Sequence, residues 1–125
     1  MTRALRAGLM LLAVLGGLTS CARQTIYGEA TPRIETPAGR DVVLELPSDP
    51  TTGEEWRIGA LPDARIMALL SADYHATPSS APGGSGGRQR WIFRAVGPGT
   101  TVVRLDYGRP WATPVKSTTF TVVVR

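Results

Sequence analysis

The residues best equipped for molecular recognition lie in three short segments. The first runs Leu46-Pro47-Ser48-Asp49-Pro50-Thr51-Thr52-Gly53-Glu54-Glu55-Trp56. An Asp side chain accepts hydrogen bonds from backbone N–H groups two residues on, Pro pre-sets φ, and Gly supplies a positive-φ position. Asp49, Pro50 and Gly53 therefore describe a rigid projecting turn with the hydroxyls of Thr51 and Thr52 at its tip. The second segment, Gly83-Gly84-Ser85-Gly86-Gly87, leaves its main chain bare for close approach by a partner, at an entropic cost on ordering. The third is Tyr107-Gly108-Arg109-Pro110-Trp111. Trp and Arg dominate binding hot spots, and a proline limits the freedom lost on binding. Read singly, each segment also suits a plain connection: a turn, a floppy loop, a Trp folded back onto a sheet edge.

Catalytic chemistry is poorly provided for. His75 is the sole His and Cys21 the sole Cys. That is too few for a zinc site, and the Asp and Glu residues are dispersed, so no carboxylate pair follows from spacing. The chain is read as neither an enzyme nor a metal or cofactor protein.

The elements that must carry the three segments are strands. Val42, Leu44 and Leu46 alternate with Val43 and Glu45; Trp91, Phe93 and Ala95 with Arg90, Ile92 and Arg94. The same holds for Val103, Leu105 and Tyr107 against Val102, Arg104 and Asp106, and for Phe120, Val122 and Val124 against Thr119, Thr121 and Val123. Period-two alternation of this kind predicts strands with one wet face. Weaker strands are expected near Ile26–Ile34, Trp56–Ile58 and Met67–Tyr74, with one helical turn around Leu61–Ala64. Gly/Pro punctuation separates them. About seven short strands imply an all-β, immunoglobulin-like sandwich. A lone Cys permits no internal disulfide, so burial must hold the sheets together, with Trp56 suited to a buried position.

The N-terminus reads as a leader. Arg3 and Arg6 precede an apolar run from Ala7 to Leu18, too short to span a bilayer, which needs about 20 residues. This describes a secretory signal peptide. Leu18-Thr19-Ser20-Cys21 resembles a bacterial lipoprotein signal, in which the Cys becomes the lipidated N-terminus. The expected organisation is a signal peptide over 1–20, a lipidated Cys21 with a short tether over 21–27, and a single domain over 28–125. The product is exported and anchored to the cell membrane or outer membrane. Of 14 Lys and Arg, Arg3 and Arg6 fall in the leader, leaving 12 against 10 Asp and Glu, a net of about +2. The pI near 10.0 overstates this balance. No basic run forms a nucleic-acid footprint.

Taken together and in order, the three segments resemble the chagasin-like family of cysteine protease inhibitors. That family carries Asn-Pro-Thr-Thr-Gly-aromatic-x-Trp, then Gly-x-Gly-Gly, then Arg-Pro-Trp before the last strand. The matching residues are Asp49–Trp56, then Gly84, Ser85, Gly86 and Gly87, then Arg109, Pro110 and Trp111. The resemblance covers roughly Asp41 to Arg125. It implies an immunoglobulin-like sandwich whose loops 49–55, 83–88 and 108–114 form a wedge that occludes the cleft of papain-like proteases. By that analogy Thr51 and Thr52 approach the catalytic Cys and His. Residues 84–87 run along the non-primed side, and Arg109 and Trp111 pack on the primed side. A monomeric, reversible inhibitor is implied, with no scissile bond offered and a standard interface of about 1,600 Å². Two residues depart from the pattern: Asp49 stands for the usual Asn, and Glu54 for an aromatic. The alternative is a lipid-anchored β-sandwich that binds an envelope component and inhibits nothing.

Overall fold

The computed structural model describes residues 24–77 and 86–125. Alternating apolar positions become strands wherever a second sheet is available to cover them. Eight strands result: β1 (Ile26–Tyr27), β2 (Arg33–Thr36), β3 (Asp41–Ser48), β4 (Glu55–Ala60), β5 (Met67–Ala76), β6 (Gly87–Ala95), β7 (Gly99–Gly108) and β8 (Lys116–Val124). They form two four-stranded sheets of order β1-β3-β6-β5 and β2-β8-β7-β4. Ile34, Val42, Leu44, Leu46, Phe93, Val103, Leu105, Phe120 and Val122 meet between the sheets, with Trp56 and Trp91 alongside. This is the expected immunoglobulin-like sandwich.

The N-terminal strand expected as one piece is two. Thr31 donates to the Gly28 carbonyl in a turn, after which the chain crosses sheets. β1 pairs parallel with β3 and β2 pairs parallel with β8. The expected helical turn at Leu61–Ala64 is absent. Ile66 and Met67 both donate to the Asp63 carbonyl in an irregular corner, and Asp63 also accepts from the Arg65 N–H. The only helical element among the described residues is a 3-10 turn at Pro50–Thr52. Val43, expected on a wet face, is fully buried. It lies between Ile26 of β1 and Ile92 of β6, so the added strand dries that part of the outer face. The register of β5 against β6 shifts between Leu69 and Ser71, and Leu69 and Leu70 remain exposed on this edge strand.

Register fixes where the connections fall. Ser48 pairs with Gly87, which pairs with Ala76; Glu55 pairs with Gly108; Tyr107 pairs with Lys116. The β3–β4, β5–β6 and β7–β8 connections therefore share one pole. β1 runs parallel to β3, so the chain enters the domain at the opposite pole.

Candidate functional site

The first loop links one sheet to the other. Asp49 caps the 3-10 turn: its Oδ1 accepts from the Thr51 N–H at 3.1 Å and from the Thr51 hydroxyl at 2.6 Å. The Thr52 hydroxyl donates to the Asp49 carbonyl at 2.9 Å and accepts from the Glu54 N–H at 3.2 Å. Gly53 adopts φ 77°, a left-handed conformation that costs glycine little, and donates to the Pro50 carbonyl. The turn is the one read from Asp49, Pro50 and Gly53. Both hydroxyls donate their proton within the turn, so the exposed tip offers methyls, main chain and hydroxyl oxygens that can only accept.

The base of this loop is closed from both sheets. The Trp56 indole N–H, on β4, donates to the Pro47 carbonyl on β3 at 2.9 Å. Gln89 of β6 accepts from the Trp56 N–H at 2.7 Å and donates to the Trp56 carbonyl at 2.9 Å. One side chain thus pairs with a strand of the facing sheet as a neighbouring strand would. Trp56 is 2% exposed. Its ring meets Tyr107 at 5.1 Å, and the Lys116 ammonium sits 5.1 Å from each of the two rings. A cation over aromatic faces is electrostatically favourable.

For the second loop, Gly84 and Ser85 lie outside the described residues. Its stem is visible: Thr77 donates to the Gly86 carbonyl at 3.2 Å. Gly86 is exposed beside the first loop, where a Cβ would sit 3.4 Å from the Ser48 carbonyl. Gly87 is buried in β6, and a Cβ there would collide with the His75 carbonyl and the Tyr74 ring. Gly87 is thus required by close packing. Between the stem and the first loop lies a recess of about 520 Å³ lined by Pro47, Ser48, Asp49, Arg88 and Tyr107 among others. The Ser48 hydroxyl is buried there with no hydrogen-bond partner.

The third loop projects. Trp111 is 80% exposed and Arg109 and Pro110 are exposed, so Trp111 is not folded back on the sheet edge. Ala112 donates to the Arg109 carbonyl at 3.1 Å and Val115 to the Tyr107 carbonyl at 2.8 Å. Arg57 of β4 donates to the carbonyls of Pro110 and Arg109 at 2.8 and 3.4 Å. Opposite Arg57 stands Asp106. The hydrogen bond from the Ser117 hydroxyl, with Arg104 and Arg57 nearby, holds the Asp106 carboxyl below the usual carboxylate range.

The site thus gathers the described members of all three motifs at one pole on a cross-braced platform. His75 is an exposed strand residue. Among the described residues no three His, Cys, Asp or Glu side chains cluster for a metal. The arrangement suits occlusion of a partner's surface. Gln89, Arg57 and Lys116 were not singled out from sequence. Only Gln89 carries a signal there, as a polar residue in phase with the inward Trp91 and Phe93.

Residues 35–124 match the model of the family described as Chagasin family peptidase inhibitor I42. The chain belongs to this family. Chagasin of Trypanosoma cruzi is 32% identical over 90 residues, covering 70% of this chain and 82% of the relative. Amoebiasin-2 of Entamoeba histolytica is 29% identical over 87 residues, covering 67% and 70%. Two solved structures share the chagasin fold. The crystal structure of the cysteine protease inhibitor EhICP2 from Entamoeba histolytica has a TM-score of 0.70 at 24% identity, covering 80% of this chain and 94% of that one. PbICP-C, solved in complex with falcipain-2, has a TM-score of 0.58 at 12% identity, covering 81% and 88%. A chagasin-family chain is an inhibitor of peptidases and not an enzyme.

Proposed function

We propose that this chagasin-family chain inhibits papain-family cysteine proteases reversibly, as a monomer, by lodging its three-loop pole in the active-site cleft. The observation that carries this reading is the pole itself: the rigid Asp49–Gly53 turn, the Gly86 stem and the exposed Trp111 stand side by side on one braced base. The first loop is the central plug, its exposed threonine tip facing the protease Cys and His. Residues 84–87 pair main chain with main chain on one side, and Arg109 and Trp111 cover the other. A turn locked by its own side chains loses little freedom on docking. No bond is presented for cleavage, so the inhibitor survives the encounter. Export through the signal at 1–20 and lipidation of Cys21 place it at a cell membrane or outer membrane.

The test is a titration of papain and a papain-like cathepsin with protein lacking the first 21 residues, beside a Thr51→Ala/Trp111→Ala variant. Hot-spot truncation costs about 2 kcal/mol or more, which is about 30-fold in affinity. The parent is expected to inhibit reversibly at nanomolar to low micromolar concentration and to remain intact. The double variant should be weaker by about 30-fold or more. A folded parent that leaves both enzymes untouched at high micromolar concentration would overturn the reading in favour of a non-inhibitory envelope-binding role.

A further inference from the structure

The motifs that mark the family do not include Arg57, yet this side chain reaches across from β4 to hydrogen-bond the third loop twice. It stands on the outer face of β4, three residues after the end of the first loop at Glu54, and half buried. Its two terminal nitrogens reach two successive carbonyls, Nη1 to Pro110 at 2.8 Å and Nη2 to Arg109 at 3.4 Å. Its Nε is buried with no hydrogen-bond partner, so the fork is committed to the loop at its far end. Pro110 has no N–H to offer, and the loop's own bonds are those from Ala112 and Val115. The carbonyls are the handle by which this segment can be held.

We propose that Arg57 is a positioning residue for protease binding: by clamping the Arg109 and Pro110 carbonyls it fixes the loop that presents Trp111. The proposal rests on the third loop docking to a protease. The strand that leaves the first loop then sets the geometry of the third, and two arms of the wedge become one rigid unit. Without the clamp, ordering of residues 109–115 would be charged to the binding step and would appear as lost affinity. A planar fork spans two acceptors in fixed geometry, whereas a lysine ammonium is a point charge on a flexible stem. Lys should therefore restore only part of the effect.

The test uses the full chain with Arg57→Met, Arg57→Lys, Trp111→Ala and the Met/Ala double variant, titrated against papain. Amide hydrogen exchange is followed at Trp111 and Ala112 in the free protein. Arg57→Met should weaken inhibition about tenfold when Trp111 is present and less than twofold when it is Ala. Exchange at Ala112 should rise about tenfold, with Arg57→Lys between parent and Met. Equal losses in both backgrounds would overturn the clamp, since a general structural defect would be additive. So would unchanged inhibition. If the parent itself fails against papain, the papain reading falls and exchange decides alone: unchanged protection at Ala112 overturns the clamp, and faster exchange sustains it.

Discussion

Asp49 shows how much one carboxylate can do and what it risks. A single oxygen accepts from both the N–H and the hydroxyl of Thr51. An Asn carbonyl oxygen could do the same. The charge is a liability in a cleft, because an ion removed from water must find compensation. Asp49→Asn is expected to keep the turn and to inhibit papain equally or up to about tenfold more tightly, whereas Asp49→Ala frees the turn and weakens inhibition by about tenfold. Titrations of the two variants check this; an Asn variant much weaker than the parent would show that the carboxylate itself contacts the enzyme. The turn was legible from sequence because its bonds span two or three residues. The direction of the threonine hydroxyls was not, because Asp49 competes with a partner for them and only geometry shows that it wins. Trp111 was equally undecided until its exposure was seen.

At the scale of elements, the sandwich is braced where a disulfide would otherwise serve. Gln89 satisfies both backbone groups of Trp56, and the Trp56 indole satisfies Pro47. Gln89→Leu would strand a buried N–H and carbonyl, which costs about 2 kcal/mol and should lower Tm by roughly 10 °C. Thermal unfolding followed by circular dichroism reads this; an unchanged Tm would mean that water replaces the amide without loss. The four strongest strands were legible because their alternation is local. The split of the N-terminal strand was less so, since Ile26 and Ile34 serve different sheets, and a sequence does not say which sheet a short strand will join. The outer-face burial of Val43 and the brace through Gln89 went unread for the same reason: each depends on which strands become neighbours or face each other. β5 was faint because its register shift and edge position leave Leu69 and Leu70 in solvent.

For the whole molecule, order mattered more than any single motif. Three ordinary loops in the right sequence along one β domain pointed to the family, and the register then brought their described residues to one pole. The opposite pole receives the chain. Gln24 lies three positions after Cys21, a reach of about 10 Å at most, and the ten-residue β7 spans about 30 Å along the sandwich. A domain held through Cys21 therefore turns its loops away from the surface that holds it. Because Cys21 is the sole thiol, it can be coupled to maleimide-bearing vesicles. Inhibition of soluble papain by the coupled protein is expected to stay within about threefold of the free protein. A tenfold or greater loss on coupling would show that the loops face the bilayer.

The parallel run of β1 beside β3 has a mechanical side as well. Force applied between a captured enzyme at the loop pole and the chain entering at the other travels along the strands. The ladder bonds then bear it side by side, in shear, and do not open one at a time. The first contact to give would be the two-residue β1. Its release would lengthen the leash by the segment up to β2, while Ile34 and the core behind it stay closed. A tug of the catch against its line would be absorbed by slack before it reached the grip.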